Sequence, residues 1–154
     1  VDPLTKPEWR AGVNQVLGSS WTAYTPVLTA STTSPTGWTT TGRYYRVGAL
    51  IVCSGVLTAG TSATSGSGDY RIWLPVAADT TVGANQIIGT VLMYDSSANL
   101  AWTGTARVNG NADYPQVVFG AGSTFGGLAA TSPWTWAAGD WISFHFTYEA
   151  AATT

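Results

Sequence analysis

The chain has 154 residues, enough for one domain that buries about two-thirds of its surface on folding. Only 9% of residues are charged, where about 25% is usual, and the net charge is −2. With six cationic residues there is no basic stripe to neutralise a run of phosphates, and with 8 Trp, 7 Tyr and 4 Phe the chain is too apolar for disorder.

The N-terminus lacks the basic-then-apolar layout of a secretory signal. Thr5-Lys6-Pro7-Glu8 reads as a capping box, with Pro7 in the first turn where its missing donor costs nothing. Trp9, Val13, Val16 and Leu17 follow on one helical stripe, and Gly18 supplies a stop. The spacing predicts a helix over 6–17, too short to stand alone in water. Its stripe packs either on its own domain or on a sister chain or assembly socket. Residues 1–20 are therefore read as an anchoring or oligomerising segment, and 21–154 as the main domain.

From Trp21 onward, short runs rich in Val, Ile, Thr, Tyr and Trp alternate with Gly, Ser, Thr, Asn and Pro clusters, the pattern of an all-β domain. Strands are expected over 22–29, 38–46, 49–58, 69–74, 87–94, 100–108, 115–119 and 141–149. Eight strands of that length suit an antiparallel two-sheet sandwich of jelly-roll-like type. The 48–60 run is too short for a membrane helix and carries Ser54 and Thr58. Ala49–Ala59 and Ile87–Tyr94 are apolar on both faces, which calls for a second cover: the chain's own loops or helix, or another subunit. In the strand over 100–108, Leu100, Trp102, Ala106 and Val108 are expected inward. In the last strand Ile142, Phe144, Phe146 and Tyr148 share one face, with Trp141, Ser143, His145, Thr147 and Glu149 on the other. Asn109-Gly110 is a hairpin dipeptide. Two long, nearly uncharged loops, 60–68 and 120–138, are of the kind that is functional or covered by a partner.

Chemistry-bearing residues are few. The lone His145 has Ser143 and Glu149 on its face, yet neighbours on one strand face stand about 7 Å apart and no nucleophile elbow is present. Cys53 lies in an apolar run and reads as a small buried residue; one cysteine also excludes an intrachain disulfide and a thiolate zinc site. Asn109, Asn111 and Asp113 alternate like calcium ligands, but the closing Glu of an EF-hand is missing and a turn with Asx hydrogen bonds is the plainer reading. No catalytic residue, metal or cofactor is assigned. Candidate ligand-contacting residues are Asn111, Asp113, Tyr114, Trp134 and Trp136, because aromatic faces beside amides suit sugars. The competing reading is that the tryptophans plug one end of the sandwich or a subunit seam.

Trp21-Thr22-Ala23-Tyr24-Thr25-Pro26, Thr41-Gly42-Arg43-Tyr44, Gly66-Ser67-Gly68-Asp69-Tyr70-Arg71, Trp136-Ala137-Ala138-Gly139-Asp140 and Thr147-Tyr148-Glu149-Ala150 stand in an order and spacing that resemble a β domain of bacteriophage virion proteins. Those proteins are often tail- or fibre-associated, in phages of actinobacteria. The resemblance spans about 21–150 and implies a non-enzymatic virion subunit on the outside of the particle, a homo-oligomer and expectedly a trimer. Its partners would be its own copies, other virion proteins and a host cell-surface glycan, with no nucleic acid and no membrane insertion. Capsid decoration without a receptor role, and a stand-alone carbohydrate-binding module, are the alternatives.

Overall fold

A computed structural model describes residues 20–152 apart from 82, 84, 122 and 123. The helix expected over 6–17, with Trp9, Val13, Val16 and Leu17, lies outside the described residues. The rest of the chain is built of β1 (Thr22–Tyr24), β2 (Leu28–Ala30), β3 (Thr36–Val47), β4 (Leu50–Thr64), β5 (Tyr70–Ile72), β6 (Gln86–Asp95), β7 (Leu100–Val108), β8 (Gln116–Ala121), β9 (Thr124–Gly127) and β10 (Trp141–Glu149).

The all-β, antiparallel class is as the sequence predicts, but the partition between sheets is not. Eight strands form one sheet in the order β1-β3-β4-β10-β6-β7-β8-β9, and β2 pairs with β5 alone. Pro26 explains the split at the first strand. It is fully buried and has no N–H to give to a ladder, so the run expected over 22–29 breaks there. Before the break Ala23 pairs with Arg43 of β3; after it Thr29 pairs with Arg71 of β5. One bent segment thus passes from the large sheet to the small one. A second link closes the other side. The Leu128 N–H donates to the Val117 carbonyl at 3.0 Å, and the Leu128 carbonyl accepts from Tyr70 N–H at 2.9 Å. Hydrogen bonding therefore runs from β8 through Leu128 to β5 and β2, and both sheets enclose one core.

β10 lies at the centre of that core. Ile142, Phe144, Phe146 and Tyr148 are buried as the alternation requires, beside Leu57, Cys53 and Ile51 of β4 and Met93 and Val91 of β6. Each fully buried side chain of this size contributes about 1.5–3 kcal/mol. A bulge between Ile87 and Gly89 brings β6 so close to β10 that a Cβ on Gly89 would overlap the His145 carbonyl. This is a close backbone approach that only glycine permits.

Three further expectations need correction. Leu100 and Trp102 are 54% and 44% exposed: β6 pairs with the whole of β7, but β8 pairs with it only at Thr105–Arg107 and leaves the other edge of its first half open, and Trp102 packs edge-on to Phe119. Asn109-Gly110 does not make a two-residue hairpin: Gly110 takes φ +70°, but seven residues separate β7 from β8. The loops expected over 60–68 and 120–138 are partly strand, since β4 continues to Thr64, paired with Thr36, and β9 pairs with β8.

Candidate functional site

Of the two tryptophans of the 120–138 segment, Trp136 is in the core and Trp134 packs against it. Trp136 is 4% exposed, its indole N–H donates to the Ala129 carbonyl at 2.9 Å, and its ring packs against Trp38, Tyr70 and Trp134. Trp134 is half-buried and donates to Asp140 Oδ2 at 3.1 Å. Asp140 is itself buried. Its Oδ2 also accepts Ala137 N–H at 2.8 Å, and its Oδ1 accepts Ser96 N–H at 2.9 Å. This carboxylate fixes the approach to β10 and the β6–β7 turn together.

The other candidates lie elsewhere. Asn111 and Tyr114, but not Asp113, line a hollow of about 340 Å³ bounded by β5, the 109–115 loop, the start of β8 and Gly127–Leu128. Pro115 is fully buried and anchors the loop. Asp113 is exposed; its N–H is held by Asn111 Oδ1 at 2.8 Å, the Asx hydrogen bond expected of the turn reading, and its carbonyl accepts Leu74 N–H at 2.8 Å. Sequence reasoning missed Arg71, Asp69 and Gln116 and read Asn109 only as a turn residue; all four are in the lining. The Arg71 guanidinium carbon lies 4.9 Å from the centre of the Tyr114 ring, and Trp73 packs on the same ring at 5.6 Å. Gln116 Oε1 is taken by Arg107 through Nε at 3.0 Å and Nη2 at 2.6 Å.

His145 is exposed on the outer face, with Ser54 of β4 and Thr90 of β6 as its cross-strand neighbours. Neither is an acid. Cys53 is buried, and desolvation pushes its thiol up from 9.0 to about 12. Among the described residues no three His, Cys, Asp or Glu side chains converge as metal ligands, and no helix is long and apolar enough to cross a membrane.

A shallower hollow, also about 340 Å³, lies over the strands β3, β4 and β10 and is lined by Thr41, Arg43, Ser54, Val56 and Ser143, with Gly42, Gly55 and Phe144. Around it the outer face carries little charge. Val56 and Leu92 flank Ser143 in register, and in the next row Trp141 stacks on Tyr94 at 5.1 Å. Compared with protein-family models, with curated proteins and with solved structures, the chain matches none.

Proposed function

We propose that this chain is a non-enzymatic structural subunit of a phage virion, placed on the outside of the particle as a homo-oligomer, a trimer, and serving host attachment or tail and fibre architecture. The virion part of the reading rests on the resemblance of the ordered motifs between Trp21 and Ala150. One observation carries the assembly part: the outer sheet face exposes Val56 and Leu92 at 39% each, in one row across Ser143, and Ile87 at 71% beside Arg107, with Arg43 near Val56. Exposed large apolar side chains on one sheet face are the kind of surface that interaction sites use. The Ser and Thr side chains between them lose far less on desolvation than ionic ones would.

The jelly-roll-like description belongs to the same proposal. Its support is the segment bent at Pro26, which serves both sheets; the hairpin order of β6 to β9 is the feature least like it. A receptor role is favoured over passive decoration by the polar hollow beside Tyr114. Val56→Lys combined with Leu92→Lys tests the assembly: light scattering should show an oligomer falling to a monomer with its fold unchanged by circular dichroism. An unaltered oligomer would move the interface off this face.

A further inference from the structure

We propose that the hollow between β5 and the 109–115 loop binds an acidic saccharide, a uronic-acid type of sugar whose carboxylate pairs with Arg71. This deepens the host-contact part of the reading above and rests on it. Cations are scarce in this chain, and the other arginines of the described strands differ from Arg71 in setting. Arg107 is held by Gln116 and Asn85, and Arg46 donates through Nε to the Gly48 carbonyl at 2.7 Å. Arg43 lies over Trp21 on the open sheet face. Arg71 alone combines a half-open polar hollow with a guanidinium that has no hydrogen-bond acceptor and no carboxylate within 4.0 Å among the described residues.

The guanidinium carbon lies over the Tyr114 ring, and its N–H donors make no hydrogen bond among the described residues. Those donors match the two oxygens of a carboxylate. Stacking also fixes the group in advance: Tyr114 is packed on Trp73, and its loop is tied to Leu74 through the Asp113 carbonyl. Less side-chain freedom is then lost on binding. Asn109 and Asn111 add amides suited to hydroxyls, and a volume of about 340 Å³ falls at the small end of ligand sites. Asp69 decides the kind of anion. Its carboxylate lines the same hollow, where it can accept a sugar hydroxyl but repels a second negative charge. A singly charged carboxylate is therefore preferred to a phosphate monoester.

The test is a titration of the nitrogen-15-labelled full chain with sodium glucuronate, glucose and glucose 6-phosphate, followed at the arginine Nε–H signals. Glucuronate should shift the Arg71 signal saturably and bind at least tenfold tighter than either of the others. Arg71→Gln should remove that binding while the β10 amide signals stay in place. No saturable shift with glucuronate, or equal binding of glucose, overturns the proposal; equal or tighter binding of the phosphate overturns the choice of a carboxylate sugar. Sedimentation of the same sample separates this from the assembly reading. A monomer that binds glucuronate upholds the hollow and sinks the oligomer, and an oligomer that ignores it does the reverse.

Discussion

Asp140→Ala removes the carboxylate that ties three chain segments together. In the folded protein it accepts Ser96 N–H at 2.9 Å, Ala137 N–H at 2.8 Å and Trp134 Nε1–H at 3.1 Å, with Ser96 Oγ more weakly at 3.3 Å. Each buried donor left without an acceptor costs about 1–3 kcal/mol. Ser96 and Ala137 are exposed residues, so water can reach their N–H groups once the side chain is gone, and the low end applies to both. Trp134 is half-buried and gains less from water. The sum is about 3 kcal/mol, and for a domain of this size the melting temperature should fall by about 10 °C. Asp140→Asn keeps the volume and one acceptor oxygen and should lose about half as much. The assay is equilibrium urea unfolding read by tryptophan fluorescence, with near-ultraviolet circular dichroism reporting the Trp134–Trp136 pair. A loss below about 1 kcal/mol for Asp140→Ala would refute the assigned hub, since no intact network of buried acceptors is that cheap to remove.

Two further outcomes follow from the core. Gly89→Ala should cost more than about 3 kcal/mol or prevent folding, because its Cβ has to displace the His145 carbonyl and with it the β6–β10 register; thermal unfolding checks this, and a near-neutral variant would contradict the close approach. Burial raises the Tyr24, Tyr70 and Tyr148 phenols above their ordinary 10.0 and the Cys53 thiol to about 12. In each case desolvation favours the protonated form in the folded state, so the stability it supplies is complete below about pH 9 and is lost as pH climbs toward 12 and beyond, where the unfolded chain has released its protons. A tyrosinate absorbance titration should show these three of the seven tyrosines ionising only with cooperative unfolding, whereas gradual ionisation of all seven would contradict it.

Strand existence was legible wherever side-chain alternation is strict, as in β10, where one face is in the core and the other is not. It was illegible where partners decide. The 22–29 run carries strand-forming residues throughout, and only the burial of Pro26 between two different neighbours splits it. Thr61 to Thr64 look like loop by composition but become strand because β3 lies alongside, with Thr36 paired to Thr64. Leu100 and Trp102 obey the inward period yet remain exposed, since the period says which face a residue takes and not whether anything covers that face. The site followed the same division. Asn111 and Tyr114 were found from local chemistry, whereas Arg71 joins them only through packing between segments distant in sequence, which no local pattern encodes. Trp134 and Trp136 suited a sugar platform in sequence, and their indole donors turn out to be engaged by Asp140 and Ala129.

Sedimentation equilibrium of the whole chain at micromolar concentration tests the assembly claim most directly. The account predicts one species at three times the chain mass of 16.1 kDa, dissociating when Val56 and Leu92 carry lysine. A single species at 16.1 kDa across the concentration range would contradict it.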